Sequence, residues 1–277
     1  MKIRYAILFI LLFMPVLASA QLQIRTHKEK ISDFLQKSTK VVMTGNDSLD
    51  IPVRQALKDF WTISAYELCS EEEFESLRSS DSYYFLVVGD GNDGLRYWHL
   101  VKGGSYDKRK GLASMLTVAT IPICPADGFT GREDYLLPVL VCCLQNMAAR
   151  AVSSNYTGIG GKSAPLKKSA GLPLYLCEEE LSPAFTAADK ELCEEKNISI
   201  LPLGSIDNCF YQGAQAAVAF VIGPRKPVKG QSFYVYLVDS VTYSIYYHKK
   251  HKISKDSGLL GEDVKVFAKV RKADRGV

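Results

Sequence analysis

A repeated order of predicted elements constrains this chain more than any single motif does. Each residue from 56 to 101 can be set against the residue 135 positions later without a gap. Similar side chains then fall together: Leu57 with Leu192, Ile63 with Ile198, Leu68 with Leu203, Ser70 with Ser205, Phe85 with Phe220, Trp98 with Phe233 and Leu100 with Val235. Six identities in 46 pairs are too few to establish a duplication. What carries weight is agreement in the order and type of elements, which a long internal period calls for testing first.

In the first copy, Lys40-Val41-Val42-Met43 reads as a short strand, and Gly45-Asn46-Asp47-Ser48 punctuates it. Asp47, Ser48 or Asp50 can cap a helix on which Val53, Leu57, Phe60 and Trp61 recur at helical spacing. Ile63 to Leu68 is a second strand. Ser70 with Glu73 is a capping box opening a short helix through Phe74 and Leu77. Tyr83 to Val88, the turn Gly89 to Gly94, and Leu95 to Val101 form a hairpin. Leu112 to Ile123 is a further strand, and a long helix spans roughly Tyr135 to Val152.

The second copy follows the same order. Strands are expected at Pro173 to Cys177, Ile198 to Leu203, Ala217 to Ile222, Ser232 to Val238 and Thr242 to Lys252. Helices are expected from Ser182-Pro183 through Leu192, from Ser205 through Phe210, and from Leu259 to Val270. The fold class is therefore α/β with α+β character: two pseudo-repeated β-α-β-α-β-β-β-α modules. Alternating strands and helices imply partly parallel sheets, to which the hairpins add antiparallel strands.

The first 20 residues read as an export signal. Lys2 and Arg4 are its positive start, Ala6 to Leu17 its apolar stretch, and Ala18-Ser19-Ala20 its cleavage site. That stretch is shorter than the ~20 residues a membrane span needs, so no transmembrane span is expected after cleavage. The expected organisation is a signal peptide at 1–20, a helical segment at 21–38, the first module at 39–153, a Gly-, Ser- and Lys-rich linker at 154–172 and the second module at 173–277. A hydrophobic content of 47% with 23% charged residues suits two packed cores.

Candidate chemistry is sparse. Removing Lys2 and Arg4 leaves 32 basic against 30 acidic residues, too even for nucleic acid to be the main partner. The local exception, His248-Lys249-Lys250-His251-Lys252, reads as a solvated strand end. The cysteines at 69, 124, 142, 143, 177, 193 and 209 are odd in number and lack zinc spacing. Cys142 and Cys143 sit on different faces of the long helix, and a Cys177–Cys193 disulfide is conceivable in an exported protein. Gly160-Gly161-Lys162-Ser163 imitates the end of a phosphate loop, but Tyr156 stands where the first glycine is needed. Asp90-Gly91-Asn92-Asp93-Gly94 lacks the later ligands of a calcium loop and reads as a hairpin turn, and His99 as a packed histidine. No residue is nominated as catalytic, cofactor-binding or metal-ligating, and no cofactor is expected.

Val42 to Leu49, Phe60 to Ser64, Glu71 to Phe74 and Tyr246 to Ile253 resemble stretches of an uncharacterised family of exported proteins from Bacteroidetes. The resemblance implies a periplasmic or secreted setting and supplies no activity, cofactor or catalytic residue. In that setting Asp47-Ser48-Leu49 and Asp239-Ser240-Val241 also resemble short O-glycosylation sites, although Ser48 reads better as a helix cap. In element order each copy resembles the small α/β modules of envelope assembly proteins such as the N-terminal domain of TolB, a likeness that bears on fold alone. Two function classes follow. One is a non-enzymatic envelope protein that binds a protein or glycan through sheet edges or the cleft between copies, with Tyr234, Tyr236, Tyr243, Tyr246 and Tyr247 on aromatic strands. The other is a hydrolase or transferase of unrecognised type working in that cleft.

Overall fold

The computed structural model describes residues 28–153 and 163–271. The expected export signal and most of the phosphate-loop look-alike lie outside the described residues. Two five-stranded mixed sheets are present. The first contains β1 (Thr39–Val42), β2 (Tyr66–Cys69), β3 (Tyr84–Asp90), β4 (Leu95–Lys102) and β5 (Leu116–Pro125). The second contains β6 (Leu174–Cys177), β7 (Ile198–Leu201), β8 (Ala217–Ile222), β9 (Ser232–Asp239) and β10 (Ile245–Lys252). Their orders, β2-β1-β3-β4-β5 and β7-β6-β8-β9-β10, are the same pattern, with the fourth strand antiparallel to its neighbours in each.

A short helix, α1 (Lys28–Ile31), precedes the first sheet. The helices then fall at equivalent places: α2 (Asp47–Phe60), α3 (Glu71–Leu77) and α4 (Glu133–Ser153) in the first module. The second has α5 (Ser163–Lys167) at its entrance, then α6 (Ala187–Glu195), α7 (Leu203–Tyr211) and α8 (Gly261–Ala268). Local chemistry explains the boundaries. The Ser70 hydroxyl accepts from Glu73 N at 3.2 Å, one half of the expected capping box, while the Glu73 carboxylate pairs with Lys40 at 2.8 Å. Helix α2 is capped by Asn46, whose Oδ1 accepts from Ser48 N at 3.1 Å, rather than by Asp47, Ser48 or Asp50. Helix α6 begins later than Ser182 because Thr186 and Asp189 form a reciprocal capping box. Strand β2 begins after Ile63 because Thr62 N and Ile63 N donate to Gln145 Oε1 of α4, at 2.6 and 2.9 Å. Those amides are thereby taken from any ladder.

Sheet register corrects the pairing at a fixed offset. Thr39 matches Leu174, 135 residues apart, but Tyr84 matches Ala217, 133 apart, and Lys102 matches Asp239, 137 apart. Phe220 is therefore equivalent to Val87, two residues beyond the equivalent of Phe85. A slip of two keeps the face of a strand, and the contact survives. Phe85 meets Phe74 of α3 edge-on at 5.1 Å, and Phe220 meets Phe210 of α7 edge-on at 6.2 Å.

The modules stack head to tail. In the first sheet one face carries Tyr84 and Leu86 against α2 and α4, while the other carries Phe85 and Val87 with Phe74 and Met115. In the second sheet Ala217 and Ala219 face the core with α6 and α8. The opposite face, with Val218, Phe220, Tyr236 and Val238, joins α7 and the first module's α4 in one core. Helix α4 is long and apolar enough to cross a membrane, but most of it is buried between the two sheets. Tyr106 and Leu112, from the 103–115 excursion, pack over the first sheet's α3 side.

The seven cysteines are all unpaired. Cys177 lies in the shared core and Cys193 in the second module's own core, on opposite sides of the sheet, which rules out the conceivable disulfide. The basic run lies on the edge strand β10 but is solvated only in part, Lys252 being exposed. His248 and His251 are buried, Lys249 pairs with Glu262 and Lys250 with Asp93. His251 Nε2 lies 2.9 Å from Asp263 Oδ1 and its ring stacks on Phe233.

Phe85→Ala and Phe220→Ala should each cost about 3–5 kcal/mol, by lost burial plus a cavity. Because α4 belongs to one core with both sheets, urea unfolding should show one cooperative transition. Two resolved transitions, with Phe220→Ala moving only one of them, would contradict the shared core.

Candidate functional site

The junction between modules holds the chemistry. In the second sheet the chain leaves β6 to β7 through α6 on one face, and reaches β8 through α7 on the other. Strand order therefore reverses between β6 and β8, and ligands of open α/β sheets lie outside the carboxyl ends of strands at such a point. The 3-10 turn Glu178–Glu180 follows β6 there, and Gly223 follows β8. Arg132, just before α4, enters this crevice from the first module. It pairs with Glu180, and its Nη2 donates to Asp207 Oδ1 of α7 at 2.9 Å. Glu180 Oε2 also accepts from Val221 N at 3.0 Å. Ile123, Cys124, Thr130, Leu136 and Ile222 complete a pocket of about 100 Å³.

Burial, only partly offset by the Arg132 guanidinium and the Val221 amide, pushes the Glu180 carboxyl up to about 7. The thiols beside it move the same way: burial pushes Cys124 and Cys177 up to about 12, so neither is a ready thiolate. Arg132 Nε is buried without a partner among the described residues. The equivalent point of the first sheet is closed from within. Asp50, buried, accepts from Thr44 N at 3.0 Å, Thr44 Oγ1 at 2.9 Å and Gly45 N at 2.9 Å.

Along α4 the junction opens into a groove. Cys142, Asn146 and Ala149 form its floor, Phe60, Thr62 and Ile63 one wall, and Thr242 and Tyr243 the other, around about 350 Å³. The walls are tied to the floor: Gln145 Nε2 donates to Phe60 O at 2.8 Å, Asn146 Nδ2 to Thr242 O at 2.7 Å, and Cys143 Sγ to Tyr243 O at 3.5 Å. Tyr243 has φ 53°, a left-handed conformation costly for a bulky side chain. Its ring stacks on Phe210, 6.4 Å between centroids. Tyr135 and Tyr211 meet edge-on across the module boundary at 6.3 Å, yet remain 48% and 52% exposed.

Sequence reasoning pointed to the cleft between copies but not to these residues. Of the five tyrosines singled out, Tyr234, Tyr236, Tyr246 and Tyr247 are buried, and only Tyr243 reaches the groove. Cys143 is buried, while Cys142, on another face of the helix, is half-buried in the groove floor. His99 is partly buried beside Thr120 Oγ1 at 3.3 Å, and burial lowers its pKa. Asp93 of the calcium-like turn is engaged by Tyr97 OH at 2.6 Å and Lys250 Nζ at 2.7 Å. Ser240 is buried, donating to Ala214 O at 2.8 Å and accepting from Ala216 N at 2.9 Å, whereas Ser48 is exposed. Among the described residues, no cluster of His, Cys, Asp and Glu could hold a metal ion. The chain matches no protein-family model, no curated protein and no solved structure.

The buried groups set the pH dependence. Glu180 is raised from 4.5 to about 7, so its contribution is full below about pH 4.5 and is lost as pH rises through 7. His248, lowered by burial from 6.5 to about 4, acts oppositely: its contribution is full above 6.5 and is lost as pH falls through 4. Each shift corresponds to about 3 kcal/mol, and the two offset each other in the wild type. Glu180→Gln should therefore leave a chain whose stability falls steadily from pH 6.5 to 4, read by urea midpoints. His248→Gln should instead leave one whose stability falls from pH 5 to 7. Identical pH profiles for the two variants would contradict the assignment.

Proposed function

We propose that the chain is an exported, non-catalytic protein of the cell envelope that holds its partner in the groove along α4. Export rests on the pattern of residues 1–20, and the envelope setting on the resemblance of Val42 to Leu49 and Tyr246 to Ile253. The observation that carries the binding reading is the groove itself. Its floor is the solvent-facing stripe of a helix otherwise packed between two sheets, and its walls come from both modules. A concave surface on a rigid scaffold with exposed tyrosines beside it has the features of a recognition site. The junction's thiols are poor nucleophiles: burial holds Cys142 up at about 11 and Cys143 well above its ordinary value.

One observation favours the alternative, a hydrolase or transferase at the junction. Glu180, poised near neutrality beside Arg132, has the acidity of a general acid or base. Its oxygens, however, are engaged by Arg132 and Val221 N. In the binding reading Glu180 and Arg132 fasten the modules together.

Filling the groove tests the proposal. Ala149 is exposed, so Ala149→Trp occupies the groove without disturbing the core. The full chain, immobilised, is challenged with detergent-solubilised envelope from its source cells, and bound proteins and sugars are quantified. Material retained by the wild type should fall about tenfold in Ala149→Trp, as expected from the loss of ~1.4 kcal/mol of contact, and should persist in Glu180→Gln. Equal retention by Ala149→Trp would reject the groove. Turnover of a hydrolase or transferase substrate that vanishes in Glu180→Gln would support the enzymatic reading instead.

A further inference from the structure

The chemistry of the groove narrows the partner. Every side chain lining its cavity is uncharged. Along α4, Tyr135, Pro138, Cys142, Asn146 and Ala149 follow one another at spacings of three and four residues as a half-buried or exposed stripe, with Asp134 and Arg150 the charged residues at its two ends. That stripe is about 21 Å long at 1.5 Å per residue. Tyr211 stands beside Tyr135 at one end, and Tyr243 overlooks the cavity. Three tyrosines with accessible ring surface, two from the second module and one from the first, therefore flank a track whose other polar groups are two threonine hydroxyls and the amides of Asn146 and of Gln145, the latter engaged by the Phe60–Ile63 backbone.

From this juxtaposition we propose that the groove binds a linear, uncharged polysaccharide, a reading that rests on the groove's being the binding site. Sugar rings present a C–H face and a rim of hydroxyls. Tyrosine rings supply broad, rigid contact for the first, and their hydroxyls, with Asn146 and the threonines, bond the second. Asn146 Nδ2 is already committed to Thr242 O, which leaves its Oδ1 as an acceptor fixed in place for a sugar hydroxyl. Charge argues against an acidic polymer. Asp134 and Asp207 stand near the Tyr211 hydroxyl, and together with burial they raise its pKa. An anionic chain on the tyrosines would face the like charge of Asp134, Asp207 being paired with Arg132. A peptide added as a strand is disfavoured because helix α4 and the 239–244 turn form the floor and one wall, so no sheet edge faces the groove. The left-handed Tyr243 is held on its carbonyl by Cys143 and on its ring by Phe210, so its position is fixed before any ligand arrives.

The test is native gel electrophoresis of the full chain through gels containing soluble galactomannan, mixed-linkage glucan, pullulan or xyloglucan, with alginate and polygalacturonate as acidic comparisons. Retardation is expected in at least one neutral gel. It should weaken about tenfold in apparent Kd for Tyr211→Ala, by loss of one aromatic contact, and be retained in Tyr211→Trp, which keeps a ring. Val228→Ala, an exposed position outside the groove, should migrate as wild type. No retardation in any neutral gel, retardation confined to the acidic gels, or equal retardation of wild type and Tyr211→Ala would each overturn the proposal. The two readings fail separately. If envelope material is lost by Ala149→Trp while neutral gels do nothing, the groove stands and the polysaccharide falls. If neutral gels retard wild type and Ala149→Trp alike, the groove itself is wrong.

Discussion

Burial of α4 on two sides organises everything else in this protein. A helix normally offers one apolar stripe to one sheet. This one packs Leu140, Val141, Leu144 and Met147 into a core fed by both sheets, and only a narrow line of side chains is left to solvent. The hydrophobic gain from that arrangement binds the modules into one body, since separating them would expose apolar surface on the helix and on the Phe220–Tyr236 face together. The same geometry forces the functional features to the junction. The charged pocket forms where the start of α4 meets the strand ends of the second sheet, and the groove forms along the line that neither sheet covers.

Within this frame the polar groups divide by position. Arg132, Glu180 and Asp207 are taken largely out of water and must satisfy one another, which makes their arrangement specific to the docked state. Asp50 does the corresponding work in the first module through the Thr44 and Gly45 amides and the Thr44 hydroxyl. The second module has opened its equivalent crevice to a side chain from its neighbour. The difference follows from the stacking, since only the second module's switch point faces another module.

Much of the fold was legible in the sequence, because its signals are local. The capping box at Ser70 and Glu73, the apolar strand runs, the hairpin at Gly94 with φ 83° and the period of α4 are each written within a few residues. The sheet orders follow from the connection types. What was not legible depended on contacts distant in the chain. Gln145 removes Thr62 and Ile63 from a strand, the turn lengths shift Phe220 two residues from the place a constant offset gives it, and Asp93 and Asp263 engage Lys250 and His251 of a run that looks solvated. The site follows the same rule. That a cleft exists between copies could be foreseen, and the weak line Tyr135, Pro138, Cys142, Asn146, Ala149 on an otherwise apolar helix was readable as its floor. The meeting of Arg132 with Glu180 and Asp207 spans 48 and 75 residues and left no local trace.

The direction of stacking has a consequence for the size of the molecule. Two copies related by a two-fold axis close on each other and use up their interface. Here unlike faces meet, the α4 side of one sheet against the α7 side of the next, and a heterologous contact of that kind has no built-in end. The two outer faces of this pair are covered differently. At one end, Tyr106, Leu112 and Met115 lie over the α3 side of the first sheet, where a preceding copy would dock. At the other, the closing helix spans Gly261–Ala268, eight residues where its counterpart α4 has 21. The two outer faces are thus unlike the faces that meet at the junction.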